Sequence, residues 1–219
     1  MDASPLSAAQ ERRGSTERVK AFGDGVFAII ITILVLEIGV PPNLSEQSLR
    51  DALDELGPDL IAWVVSFLIT GMYWVWHRDL FNQVRYVDTT AVWLNLLFLL
   101  PAALIPFAAS VLGEYSGDPI GLHVYGAVLI ATSLMRWVLY AYVMRRPALL
   151  WASPTPKARR VGALLAVAPI AVYLVAMVLA EPAPTLSLLF YLAVPSLYLL
   201  LVFVLRRHPS TRNEAEDFG

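Results

Sequence analysis

The stretch Arg18–Gly39, RVKAFGDGVFAIIITILVLEIG, decides how the rest of the chain is read. From Val26 to Ile38 every residue except Thr32 and Glu37 is apolar. Counted back through Phe22, the run is about 17 to 20 residues long, enough for a helix to cross roughly 30 Å of hydrocarbon. At about 100° per residue, Ile29, Ile33 and Leu36 fall within roughly 60° of one another, and Thr32 lies about 60° to one side of Ile29. One face thus combines bulky aliphatics with a hydroxyl, the pattern of a pore-lining helix rather than of a plain anchor. Aliphatics at this spacing are equally the pattern of a packed core, and periodicity alone leaves both readings open. Asp24 is about 140° round from Ile29, so if Ile29 faces a pore the carboxylate faces neighbouring helices.

Composition points to an integral membrane protein: 58% hydrophobic residues, 16% charged, and a mean hydropathy of +0.62 over 219 positions. The absence of cysteine removes disulfides, thiolate metal sites and cysteine nucleophiles. A cleaved signal peptide is not expected, because no small-x-small site follows Leu36, and Glu37, Pro41 and Pro42 interrupt instead.

Residues 1–17 are polar and Ser/Ala-rich and read as a disordered cytoplasmic tail. After the first span, Ser45–Leu56 places Leu49, Leu53 and Leu56 on one face behind a capping serine, which predicts a short amphipathic helix ended by Gly57-Pro58. Further spans are expected at about Pro58–Trp76, Thr90–Leu112, Pro119–Val143, Val161–Leu179 and Leu186–Leu205, followed by a second disordered tail over 209–219. The fold class is therefore all-α, a polytopic membrane domain of six transmembrane helices over 18–208. Pro101 and Pro106 are expected to kink span three; Pro169 and Pro195 lie inside the last two, tolerable where neighbours satisfy the freed carbonyls.

Orientation follows from the Lys and Arg residues. Arg12, Arg13, Arg18 and Lys20 precede span one, Arg78 and Arg85 separate spans two and three, five cations from Arg145 to Arg160 separate spans four and five, and Arg206, Arg207 and Arg212 follow span six. The opposite loops hold Arg50 alone against eight carboxylates. Both termini are expected to be cytoplasmic, in a multi-pass protein of the cell membrane. Arg136, near the inner end of span four, is expected to snorkel inward as a structural residue.

Arg18-x-x-x-Phe22-Gly23-Asp24-Gly25 leading into FAIIITILVLEI, Trp74-x-x-His77-Arg78 closing span two, and WLNLLFLL followed by ALIPF in span three resemble the transmembrane-protein-175 family. Its members are potassium-permeable channels, endolysosomal in animals and single-repeat in bacteria. The resemblance covers roughly the first half of the chain. Gly23 stands where that family has a serine, which removes one hydroxyl from the motif.

The resemblance implies a homotetramer in which span one of each subunit lines a central pore without a glycine-rich carbonyl filter; no TVGYG-like segment occurs in the chain. It implies Ile29 as the constriction, Ile33 and Leu36 as further apolar rings, Thr32 as the layer that bears on ion preference, and K+ as the permeant ion. A ring of apolar side chains closes a narrow pore because a cation cannot cross it without losing its hydration shell.

A charge at membrane depth is costly unless partnered. For Asp24 the candidate partners are Arg18 and His77, with Trp74 and Asn95 as nearby hydrogen-bonding groups. A structural network of Arg18, Phe22, Asp24, Gly25, Trp74, His77 and Asn95 is expected, anchoring span one to spans two and three; a proton relay through Asp24 is the competing reading. Three function classes follow: potassium-permeable channel first, then secondary transporter or proton-conducting channel, then enzyme. Nothing supports the last, since there is no metal-ligand cluster, nucleophile with a base, or phosphate-binding glycine loop. No cofactor is expected, and topology with anionic lipid headgroups accounts for the cytoplasmic arginines without nucleic acid.

Overall fold

The computed structural model describes residues 5–39, 48, 51, 53, 56–115 and 118–207. The chain forms α1 Pro5–Leu34, which ends in a 3-10 turn Val35–Glu37, then α2 Gly57–Asn82, α3 Thr89–Ala102, α4 Ile105–Glu114, α5 Pro119–Met144, α6 Pro156–Leu179 and α7 Pro184–Arg207. Among the described residues five stretches are long and apolar enough to cross a membrane: Gly14–Glu37, Gly57–Asn82, Thr89–Glu114, Pro119–Met144 and Pro156–Leu179. Pro184–Leu200 adds a shorter apolar helix. The protein is therefore all-α and polytopic, as the apolar runs predict.

Two boundaries differ from expectation. The first helix already begins at Pro5, within the stretch read as a tail: after Pro5, residues 5–17 are rich in Ala, Gln, Glu and Arg, and no second proline stops the helix. Span three is broken rather than merely kinked. Pro106 has no N–H to offer Ala102, so the chain turns at Ala103–Leu104 and α4 starts afresh, with Leu104 bonded to Pro101 O and Ala108 to Leu104 O. The amphipathic helix over Ser45–Leu56 falls largely outside the described residues, and the tail at 209–219 does so entirely.

The centre of the bundle is α5, which packs against α3, α4 and α6; α2 packs against α1, α4 and α7. The core carries hydroxyls as well as hydrocarbon, and each described pair joins two helices. Ser66 and Tyr125 share a 2.9 Å bond, Tyr73 and Ser133 one of 2.8 Å, and the Tyr191 hydroxyl donates to Leu122 O at 2.9 Å. At membrane depth these bonds keep buried hydroxyls satisfied and fix helix register at the same time.

Arg136 does not snorkel. It is 2% exposed, and its Nη2 donates to Leu165 O at 3.0 Å and Ala166 O at 2.8 Å on α6. These carbonyls lie four and three residues before Pro169, the proline inside that helix, whose missing N–H leaves Leu165 O without its helical donor. Staying inside, the guanidinium finds acceptors that the proline itself has freed, with Trp76 and Tyr73 rings at 5.0 and 5.8 Å covering its faces.

The ends of spans two to five that carry most of the arginines are tied by a clasp. Val84 and Leu150 form an isolated antiparallel bridge, flanked by Arg85 N to Leu149 O at 2.7 Å and Trp151 N to Gln83 O at 3.0 Å. Asp88 caps α3 by accepting from Ala91 N, and its other oxygen accepts the Tyr142 hydroxyl at 2.6 Å.

If Arg136 serves the Pro169 kink, Arg136→Met should destabilise the detergent-solubilised protein by about 2 kcal/mol or more, the range of hydrogen bonds to charged groups. In Arg136→Met/Pro169→Ala, where the restored backbone N–H again donates to Leu165 O, the melting temperature should recover part of that loss. Strict additivity of the two changes would refute the link.

Candidate functional site

The first helix is two-faced. Gly23, Phe27, Ile30 and Leu34, spaced i, i+4, i+7 and i+11, are buried against the rest of the subunit, with Ile30 3% and Leu34 0% exposed. On the other side Ile29 is 59% exposed, Leu36 76% and Ile33 38%, with Thr32 open beside them. Helical phase predicts Ile29, Ile33, Leu36 and Thr32 on one face, and they occupy the side of α1 turned away from its own subunit. The Thr32 hydroxyl donates back to Ala28 O at 3.0 Å and Ile29 O at 2.9 Å. With its proton held by the helix, the oxygen's two lone pairs are left for an acceptor role outward.

The residues expected to form one network separate into two groups. In the first, the Trp74 indole N–H donates to Asp24 Oδ1 at 2.8 Å, with the Arg78 guanidinium 5.3 Å from the Trp74 ring centre. His77 and Asn95, each 1% exposed, are joined at 2.8 Å between Nε2 and Oδ1. Because an amide oxygen only accepts, Nε2 carries the proton and donates. The His77 ring packs against Phe81 at 4.6 Å, Phe27 at 5.7 Å and Phe98 at 6.1 Å, which ties α1, α2 and α3 together.

Asp24 therefore takes its hydrogen bond from Trp74, not from Arg18 or His77, and Asn95 serves His77 instead. Gly23 lies against the His77 ring; a Cβ there would collide with Cε1. A serine in its place would need the ring to move. In this chain the His77 ring lies against Gly23 and turns its proton toward Asn95 on α3.

Arg18, Phe22 and Gly25 do not join this cluster. All three are exposed, with open space around Gly25. By helical phase they lie within about 40° of Ile29, inside the arc from Thr32 to Ile33, so this part of the motif belongs to the free face. Sequence reasoning could have found this split, since the same arithmetic applied to Asp24 extends back to Arg18. What it could not find was the clasp at Asp88 and Tyr142, whose partners are 54 residues apart with no periodic signal. Among the described residues no group of acidic and histidine side chains could hold a metal ion.

The fold and this site define a class: a polytopic helical membrane protein whose first helix keeps a lengthwise apolar face free. The profile of the family described as endosomal/lysosomal potassium channel TMEM175 matches residues 18–106 of this chain. A potassium channel of Streptomyces collinus is 40% identical over 132 residues, 58% of this chain and 64% of that protein. The endosomal/lysosomal proton channel TMEM175 of Mus musculus is 35% identical over 126 residues, 54% of this chain and 25% of that one. The matched part thus spans less than two thirds of the length of these curated relatives. The crystal structure of a lysosomal potassium-selective channel TMEM175 homolog from Chamaesiphon minutus superimposes with a TM-score of 0.75 at 26% identity, over 86% of this chain and 98% of that one. The likeness therefore extends well past residue 106, into spans whose sequences read only as generic apolar helices.

Gly23→Ala tests the fit against His77. The added methyl has to displace a ring held by Asn95 and three phenylalanines, so a stability loss of about 1–3 kcal/mol is expected, read as a lowered melting temperature. The same substitution at Gly25, where nothing lies within 4 Å, should not lower the melting temperature and should raise it slightly, alanine being the better helix former.

Proposed function

We propose that the protein is a potassium-permeable cation channel, a homotetramer in which α1 of each subunit lines a central pore. The observation that carries this reading is the continuous free face of α1, on which Arg18, Phe22, Gly25, Ile29, Thr32, Ile33 and Leu36 all lie. A single α1 cannot enclose a pore, and these residues find no partners on α2 or α3. Copies arranged about an axis would give them one, with four the number the family resemblance implies. Relatives described as potassium channels support the ion, and the orientation expected from the arginines puts both termini in the cytoplasm of a cell-membrane protein.

Four Ile29 side chains form the narrowest collar in this reading, and Ile33 and Leu36 line it toward the other end. Its barrier is dehydration: a cation stripped of water between hydrocarbon walls has no replacement ligands. Thr32, about one turn on, offers four hydroxyl oxygens whose protons are already engaged by Ala28 and Ile29 carbonyls. Partial replacement of hydration there is the means of preferring potassium over sodium. No cofactor is required, and the bilayer, with anionic headgroups facing the arginine-rich loops, is the expected partner besides the chain itself.

Proton conduction through Asp24 is a second reading, favoured by the mouse relative's description as a proton channel and by the exposure of the carboxylate. The Trp74 bond favours a structural role. Asp24→Asn keeps an oxygen for the indole and removes the charge, so under that role it should assemble and pass potassium normally, whereas Asp24→Ala should lower both. Loss of a pH-dependent current in Asp24→Asn with potassium current intact would move the assignment to the proton.

Planar-bilayer recordings with potassium and sodium on opposite sides test the pore. Ile29→Ala should raise leak conductance severalfold, and Thr32→Val, almost the same shape, should keep the conductance but shift the reversal potential toward loss of potassium preference. An unchanged Ile29→Ala conductance, or a monomer that conducts, would overturn the arrangement.

A further inference from the structure

A groove of about 390 Å³ lies between the C-terminal end of α5 and the N-terminal end of α6, away from α1 and its free face. Trp137, Tyr140 and Ala141 with Met144 present one face of α5 to it, and Pro156, Arg159, Arg160 and Ala163, again at i, i+3, i+4 and i+7, present one face of α6. Arg145 closes the end where α5 finishes. Three arginines, two on α6 and one at the C-cap of α5, thus line one concavity with aromatic and aliphatic residues, and no carboxylate is among the lining residues.

These three arginines differ from their neighbours at the same end of the bundle. Arg78 pairs with Asp79 at 3.0 Å, Arg146 with Asp88 at 3.9 Å, Arg85 lies over Trp151 and Arg136 is buried on carbonyls. Among the described residues Arg145, Arg159 and Arg160 form no ion pair. The N-terminus of α6, capped by Thr155 through Ala158 N at 3.2 Å, adds its positive end to the same place. Topology accounts for arginines at this end of the spans, but not for three of them unpaired around one groove while Arg78, Arg85, Arg136 and Arg146 are engaged.

We infer that this groove binds a phosphate-bearing anion, with the phosphate oxygens between Arg145, Arg159 and Arg160. Guanidinium forks match phosphate oxygens in pairs. The floor of Trp137, Tyr140 and Ala163 suits the ester and first methylenes of an anionic glycerophospholipid, which the interfacial height of a span end would supply; a free phosphate offers the same oxygens without using the floor.

The test uses the full purified chain in neutral detergent, titrated with phosphatidylglycerol or phosphatidylcholine and read by native mass spectrometry. Phosphatidylglycerol should be retained at least tenfold better. Arg159→Gln/Arg160→Gln should weaken its retention about thirtyfold, taking the usual contribution of a basic residue near an anionic lipid surface. Arg145→Gln, on the other helix, should weaken it about fivefold and carries the test should the double variant not fold, while Arg85→Gln should change nothing. Inorganic phosphate at millimolar concentration is the second arm: displacement of the lipid assigns the site to free phosphate, and no displacement assigns it to the headgroup. Equal retention of the two lipids, or arginine variants that hold phosphatidylglycerol as the wild type does, would overturn the site.

Discussion

Hydrocarbon offers no hydrogen bonds, and this chain enters it with four prolines inside its spans. Each leaves a carbonyl that water cannot reach, so the bundle has to supply donors from within. At Pro169 the donor is Arg136, whose own charge would be untenable there without those carbonyls and two aromatic faces. In span three the break at Ala103–Leu104 does the same work by ending one helix and starting another.

The same constraint explains why α1 is unlike its neighbours. Val26–Leu36 contains no proline and no charge, so the helix needs nothing from other elements to satisfy its backbone. Only one side of it is then committed. Phe27, Ile30 and Leu34 dock on α2, α3 and α4, while the hydroxyl of Thr32 closes on its own helix rather than on a partner. A helix satisfied by itself and attached along one stripe is free to present the opposite stripe to a pore or to a second subunit. The central helices, bound on most sides, are not.

Much of this is legible in the sequence because the relevant signals are local. Span lengths, the arginine asymmetry and the phase of Ile29, Thr32, Ile33 and Leu36 each need only a short window and a fixed helical period. Whatever depends on a specific distant partner is not legible. Arg136 reads as a snorkelling residue because nothing in its own neighbourhood reveals a proline on the next helix, 33 positions away. Asp24 is matched by sequence with the nearest opposite charges, Arg18 and His77, since electrostatics suggests charged partners first. The indole N–H of Trp74 is better placed, and its geometry belongs to the packing of α1 on α2.

Gly23 shows how a departure from a family motif is read once the fold is in hand. By sequence it is a lost hydroxyl, a subtraction from a polar network. In the fold the same position is where the backbone of α1 meets the His77 ring of α2, and the absence of a side chain lets that ring lie against the helix. The ring then reaches Asn95 on α3 and packs among Phe27, Phe81 and Phe98, so one imidazole joins three helices at once. That junction lies on the buried side of α1. Motif positions on that side are constrained by this subunit's own packing; Arg18, Phe22 and Gly25 on the other side are not, so any constraint on them has to come from what the free face meets.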